Sequence, residues 1–536
     1  MPGWMNARNG AGLILCVFAL RVVYLFWLCG YELLGDEALY WESGRRLDWG
    51  YYEKGPVMPW SIALATAVVG TSEAGVRLAA AVWSAVAGLG VLRLAQHAAA
   101  PADEAESATD RSGRAATPFI AATMFLLAPA FQANAQLATP DAALIALWVW
   151  GCVAALALIR AMESRSPGVW LAAAWFGFVL GVGTLAKQSM LLLLAGVALN
   201  VIRRPASRGA LSTAIGAGLL TFGLAVSPLA IWNWQHGWPT VLHTLEHLGL
   251  YESSGAAHAT EAARPARAIY NPVWTLSLVG AQIGAFGPAL CALMWIGVRS
   301  ADSRGMRSAI NLALSALAVY LLVSFTKQAE PNWPFHAFAS ILAPAAAAVA
   351  RELPLVRERI ARWRANPARP HEGFLRRRPE SVAQVAWDWT ILYGVGGQLL
   401  IAFLPQMLAN TPDSGLTQRF RGHRAQAAAV HAIARGLEQQ IGIAPPVIAS
   451  HYMTAGLLAF YLPGRPVVWN AGSRLGTRTS SYDYWPDTRL ELVLERHDAA
   501  ILNGTKAERW AELLKGWRIE TVDAQRGIHV ARRTAP

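Results

Sequence analysis

The sequence predicts an all-α polytopic membrane protein of about 11 transmembrane helices, followed by a small α/β domain. Three observations carry that prediction. Of the 536 residues, 54% are hydrophobic and 15% charged, with a mean hydropathy of +0.31, whereas soluble domains carry about 25% charge. Eleven apolar stretches follow one another up to residue 405, each close to the ~20 residues a helix needs to cross hydrocarbon. Arginines gather in alternate connections between those stretches.

In order, the stretches are 11–31, 75–97, 117–136, 141–160, 168–185, 189–202, 209–232, 272–298, 308–325, 332–350 and 385–405. The first follows "MPGWMNARNG", which has little charge. No small-residue cleavage site comes after it, so it reads as a retained span and not as a signal peptide. A shorter patch at 57–70 reads as half-buried at the interface. Arg8, Arg111, Arg114, Arg160, Arg165, Arg203, Arg204, Arg208, Arg299, Arg304, Arg307 and the run from Arg351 to Arg378 all fall on one side of eleven spans. That is the positive-inside pattern of an inner (plasma) membrane protein with a cytoplasmic N-terminus. It also accounts for the net charge of +12. Nucleic acid is excluded as a partner, because no basic patch is interleaved with stacking aromatics. The four cysteines, Cys16, Cys29, Cys152 and Cys291, lie in apolar runs without metal-ligand spacing and read as core residues.

The chain divides into a membrane domain, 1–408, and a polar C-terminal domain, 409–536. In the latter, "RGHRAQAAAVHAIARGLEQQ" reads as an amphipathic helix. "PPVIAS" and "RPVVWN" read as strands around a helix at "MTAGLLAFYL", and "DAAILNG", "KAERWAELLKGW" and "RIETVDAQRGIHVARR" continue the β/α alternation. An odd span count places this domain outside, in the periplasm or its equivalent. The stretch "AAAPADEAESATDRSGRAA" reads as a polar, flexible connector, and there is no internal repeat.

The outer side holds few cations: Arg45, Arg46, Lys54, Lys187, Arg264, Arg267 and Lys327. They break the charge bias and are therefore the first candidates for chemistry. The segment from Tyr31 to Trp60 holds six acidic, three basic and seven aromatic residues at the mouth of the first span. In "GDEALYW", Asp36 is open to two readings: a carboxylate solvated among headgroups, or a general base. Gly35 allows a tight turn there, and Tyr40 and Trp41 can seat the segment at the interface. Glu37 points elsewhere on a helix. In "YYEKGPVMPW", Glu53 and Lys54 are either a surface ion pair, or a phosphate-binding lysine with a glutamate that orients it or ligates a divalent metal. Tyr51 and Tyr52 flank the pair as candidate substrate contacts. In "LATPDAALIALW", Asp141 is either a first-turn acid favoured by the helix dipole or a second carboxylate sharing the site of Asp36. Lys187, between two apolar runs, either snorkels or binds an anion. Lys327, Glu330, Asn332 and His336 cluster at one boundary, while Trp232, Trp238 and Trp333 read as interfacial anchors. "HTLEH" puts His243 and His247 on one helix face but lacks the glutamate that a zinc-protease motif needs.

All these candidates fall on the outer face, where nucleotide donors are absent. An activated group would arrive there attached to a lipid phosphate. "GDEALYWESGRRLDWGYYEKGPVMPW", "TPDAALIALW", "GVGTLAKQ", "SPLAIWNWQHGW", "KQAEPNWP" and "LAFYLPGRPVV…SSYDYWPD", in that order, resemble the bacterial branch of the dolichyl-phosphate-mannose protein mannosyltransferase family. These are GT-C membrane glycosyltransferases, and the lipid A aminoarabinose transferase belongs to the same group. The resemblance implies a polyprenyl-phosphate sugar donor, a lipid, glycan or protein acceptor, and inversion at the anomeric carbon. It implies Asp36 as catalytic base, with Asp141 the second aspartate. Lys54 and Lys187 would serve the donor phosphate, with Arg264, Arg267 and Lys327 as further cations. Tyr40, Tyr51, Tyr52 and Glu330 would contact substrate. Glu53 would lie near a metal, although "EKGP" departs from the family's "EKPP" and loosens that expectation. The rival classes are a transporter or flippase, which would place ionisable groups near the midplane as Arg21 does in the first span, and an O-antigen ligase, which would carry its large loop late in the chain.

Overall fold

The computed structural model describes residues 2–100, 108–204, 206–247, 270–365, 382–411, 415 and 417–534. Arg264, Arg267, His258, the arginines at 376–378 and positions 101–107 of the connector lie outside them. Among the described residues, seven helices are long and apolar enough to cross a membrane. The count is eight if Pro272–Phe286 and Pro288–Arg299, bent by 100° at Gly287, form one span. The stretch 117–136 is broken: helix Ala108–Leu127 ends at Ala128, and a short helix restarts at Pro129. Leu192–Arg203 has 12 residues, short for a straight crossing.

The chain forms two compact units. The first comprises Met1–Leu28, Arg77–Ala230 and Ala266–Ala402. At its centre lies helix Pro140–Glu163, 89% of whose apolar window is buried. It packs on Val169–Ala186 and on Phe335–Ala365, which also meets Ala108–Leu127 and Pro288–Arg299. Trp148 is fully buried there and donates its indole N–H to Ser340 Oγ at 2.9 Å. Small residues permit the close helix approaches that packing in lipid relies on. A Cβ on Gly196 would come within 2.6 Å of the Leu312 backbone. Arg21 is buried and donates to Ser84 Oγ at 3.3 Å and to Gln132, so the one basic residue of the first span is satisfied inside the helix bundle.

The second unit joins residues far apart in sequence: Cys29–Val76, Ile231–Pro265 and Phe403–Pro536. Its sheet has the order β2-β1-β3-β5-β4, with β1 Val447–Ala449, β2 Trp469–Asn470, β3 Ala499–Asn503, β4 Trp517–Asp523 and β5 Ile528–Arg533. β1 runs parallel to β2 and β3, whereas β5 is antiparallel to β3 and β4. Helix Tyr452–Tyr461 connects β1 to β2 and packs on helix Gly35–Gly44. Here Gly35 has a different use from the expected turn. It lies inside the helix without a positive φ, and a Cβ on it would come within 2.6 Å of Met453 Cβ. Glu32 accepts the backbone N–H groups of His423 and Arg424 at 2.5 and 3.2 Å. It thereby supplies an anion to the start of helix His423–Ile441, the end that favours one.

Candidate active site

In the second unit, the first turn of helix Gly35–Gly44, the segment 48–54, helix Pro239–His247 and the loop 477–484 build one polar cluster. Asp36 is exposed in that first turn, where free backbone N–H groups stabilise a carboxylate. Glu37 is buried and turns back to accept the Leu34 N–H at 3.0 Å, so the two neighbouring acids separate as expected.

Glu53 forms the floor. It is buried, and its Oε1 accepts the Ser481 N–H at 2.9 Å while Oε2 accepts the Ser481 hydroxyl. Burial raises its pKa above the ordinary 4.5, against the opposing pull of Ser481 and Arg478. Arg478 keeps solvent access, and its guanidinium lies 5.2 Å from the centre of the Tyr452 ring. Desolvation works against its charge, but Tyr452, Glu53, Tyr40 and Tyr52 outweigh it and hold the pKa above the usual value. Burial pushes the Tyr452 hydroxyl up to about 12, and the charges of Arg478, Asp36 and Glu53 all reach it. Tyr452 is thus a buried ring with the Arg478 guanidinium over it, on a helix that packs against the one opened by Asp36. The loop carrying Arg478 is pinned on both sides. Thr477 N–H donates to Gly472 O at 2.9 Å, Asn470 Nδ2 to Ser480 Oγ at 3.1 Å, and Ser480 N–H to Asp483 at 2.8 Å.

The aromatic residues divide by role. The Tyr51 hydroxyl is engaged by backbone: its one proton is shared between Ser43 O and Arg46 O, and it accepts the Asp48 N–H, at 2.9–3.0 Å. Tyr52 lies against His243 at 4.8 Å and stacks on Tyr484 at 5.6 Å. Burial, then the charge of Glu246, takes its hydroxyl up to about 12. Tyr40 and Lys54 are half-buried. Trp232 is a strut, not the expected interfacial anchor: it is buried and donates its indole N–H to Asp48 Oδ2 at 2.7 Å.

Two of the cations expected on the outer side are structural. Glu42 is fully buried and pairs with Arg45 at 3.0 Å and Arg46 at 2.7 Å. Arg46 also grips Asp487 at 2.6 Å and lies over the Trp485 ring. These partners raise its pKa despite its burial.

The expected metal role of Glu53 does not fit. Both its oxygens take hydrogen bonds from Ser481, and the nearby charge is the cation Arg478. Among the described residues no three His, Cys, Asp or Glu side chains converge as a cation would need.

Asp141 and Lys187 belong to the first unit. Asp141 opens helix Pro140–Glu163, after a proline suited to that first position. Its Oδ1 pairs with Lys187 Nζ at 2.6 Å and its Oδ2 accepts Asn332 Nδ2 at 2.7 Å. In the same unit, Lys327 is half-buried and Glu330 exposed.

Sequence reasoning missed Arg478, Ser481 and Tyr452. The signal available was "TRTSSYDYWPD", where Ser480 and Asp483 have capping-box spacing.

Residues 53–232 match the family described as dolichyl-phosphate-mannose-protein mannosyltransferase. A lipid A galacturonosyltransferase, RgtD of Rhizobium johnstonii, is 26% identical over 62% of this chain, and the match spans 64% of that protein's length. Among solved structures, ArnT from Cupriavidus metallidurans bound to undecaprenyl phosphate superposes with a TM-score of 0.60 at 16% identity, covering 98% of both chains. The apo form of that protein gives 0.57 at the same identity over 99% of both. The fold is therefore shared across the whole chain.

Proposed function

We propose that this chain, a multi-pass GT-C-family membrane protein related to the dolichyl-phosphate-mannose protein mannosyltransferases, transfers a sugar from a polyprenyl-phosphate donor to an extracytoplasmic acceptor. A lipid A-type glycolipid is the acceptor we put first, by analogy with RgtD; a glycan or protein is the alternative. The topology we adopt has eleven spans in the inner membrane, a cytoplasmic N-terminus and a periplasmic C-terminal domain at 409–536.

One observation carries the reading. The exposed carboxylate Asp36 opens helix Gly35–Gly44, which packs on helix Tyr452–Tyr461, and the solvent-reaching guanidinium of Arg478 lies over the ring of Tyr452 at the start of that second helix. Displacement at an anomeric carbon needs those two charges. The acceptor hydroxyl oxygen forms the new bond to that carbon, and Asp36 takes its proton. The bond from the anomeric carbon to the phosphate oxygen breaks, and the phosphate leaves with the electron pair, giving inversion. Arg478 and Lys54 are assigned to the charge that grows on that phosphate, a preorganised stabilisation that water would otherwise have to supply. Arg478 suits the task because a planar guanidinium binds phosphate with two parallel hydrogen bonds. Glu53 holds the loop of Arg478 through Ser481. Tyr40 and Tyr52 offer faces for the sugar. Lys187 is assigned first to Asp141, while Lys327, Arg264 and Arg267 stand as further cations for the donor and Glu330 as an acceptor contact.

The test is to supply purified protein with labelled polyprenyl-phosphate sugars and lipid A. Label on the acceptor together with free polyprenyl phosphate is the expected result. Intact donor across neutral, amino and uronic sugars, or movement of donor across a vesicle without bond cleavage, would overturn the reading.

A further inference from the structure

The second unit holds a cavity of about 410 Å³ between helix Gly35–Gly44, helix Val57–Val69 and the turn at Gly464 and Arg465. None of the residues assigned above to catalysis lines it. Two guanidiniums do, Arg45 and Arg465, facing Trp41, Ile62 and Thr66, and no carboxylate is among the lining residues.

The charges do not cancel. Glu42 and Asp487 balance Arg45 and Arg46 through the ion pairs already described. Among the described residues the partners of Arg465 are a carbonyl and a ring, not a carboxylate. It donates to Thr71 O at 2.7 Å and lies 5.7 Å over the Phe460 ring, while Arg45 donates to its carbonyl at 3.0 Å. Its backbone is left-handed, with φ of 49°, directly after Gly464 at 74°. A side chain rarely adopts that conformation, so the turn fixes the guanidinium at the cavity by a specific backbone shape. The result is a cavity with one surplus positive charge.

A second feature adjoins it. Helix Val57–Val69 exposes Trp60 at 38%, Leu64 at 69% and Val68 at 74%. These residues recur at every fourth position and form one stripe, which runs on directly from the cavity-lining Ala63 and Ala67. Water is a poor partner for such a stripe, and in a membrane protein acyl chains are a good one. Cations at one end of an apolar stripe match an amphiphile whose head is anionic.

We infer that this cavity binds a membrane phospholipid whose headgroup carries net negative charge, with Arg45 and Arg465 on the phosphate and the lipid chains along Trp60, Leu64 and Val68. A guanidinium suits such a head because it binds phosphate oxygens through charge-assisted hydrogen bonds. The inference rests on the membrane reading of the chain and not on the proposed transfer reaction.

Native mass spectrometry of the detergent-solubilised protein, with phosphatidylglycerol or phosphatidylcholine added, tests it. The variant is Arg465→Gln, because Arg45 also balances the buried Glu42. Wild type is expected to retain phosphatidylglycerol over phosphatidylcholine. Arg465→Gln should lose about fivefold of that preference, the worth of one arginine at a headgroup, and Arg465→Lys should recover most of it. Donor turnover and melting temperature of Arg465→Gln should match wild type, which separates this result from a failure of the catalytic reading. Equal retention of both lipids, an unchanged Arg465→Gln, or displacement by millimolar inorganic phosphate alone would each overturn the lipid assignment; the last would indicate a free-anion site.

Discussion

Replacing Lys187 by Met separates two uses of that lysine. Its Nζ lies 2.6 Å from Asp141, with side chains only 13% and 10% exposed, and Asn332 holds the other carboxylate oxygen. Removing one member of a buried pair leaves the other charge without compensation, which costs about 3–5 kcal/mol. Lys187→Met should therefore lower the melting temperature in detergent by several degrees. Adding Asp141→Asn removes the stranded charge and keeps a carbonyl for Asn332. The double variant should recover most of the loss, a coupling of about 2–3 kcal/mol. The assay is intrinsic tryptophan fluorescence on heating, for wild type, both single variants and the double. If Lys187→Met melts with wild type, or the double variant melts no higher than Lys187→Met, the ion-pair account is wrong. If the double variant is stable yet its KM for donor rises tenfold or more, Lys187 also serves the phosphate.

Three further outcomes are expected. Glu53 has its pKa raised by burial, so the folded state holds its proton more tightly than the unfolded chain does. The stability this contributes is complete below pH 4.5 and fades as pH rises through the higher folded value. Glu53→Gln has no such proton to lose, so its melting temperature relative to wild type should climb over that window and then level; a flat difference from pH 4.5 upward contradicts the buried-acid account. Arg478→Gln should lower donor turnover by about 10²-fold, the scale of losing one transition-state donor, with partial rescue by Arg478→Lys, and near wild-type kcat/KM would remove it from the site. Arg46→Ala leaves the fully buried Glu42 with Arg45 alone and should destabilise by about 2–4 kcal/mol, which denaturant midpoints would detect; a shift within the range of ordinary surface substitutions would deny Glu42 its structural role.

What the sequence made legible was local. Apolar length marked the helices, β/α alternation marked the strands around Tyr452–Tyr461, and Asp36 was findable because it sits where a helix begins after an apolar run. The misreadings arose from partners far along the chain. Arg46 was grouped with the outer cations expected to do chemistry, yet Asp487 waits 441 residues later. Part of that answer was nonetheless local, since Glu42 stands four residues before Arg46 and three before Arg45, the spacing at which helix charges pair. Trp232 was read as an anchor because its neighbours are apolar, and the Asp48 that receives its indole N–H lies 184 residues earlier. Arg478 carries no motif of its own. Its proposed role depends on a pinned loop folding back on Glu53, and neither segment announces the other. Asp141 and Lys187 were both singled out, but their pairing depends on how two helix ends meet, which spacing alone does not encode.

The most direct test of the central claim is release of sugar from a polyprenyl-phosphate donor by purified wild type and by Asp36→Asn. This exchange removes the proton acceptor while keeping size and shape. The account predicts that wild type consumes donor, even slowly with water as acceptor, and that Asp36→Asn does not, while both bind the donor and melt alike. Equal consumption by the two would contradict Asp36 as the base and with it the assignment of the reaction centre to this cluster.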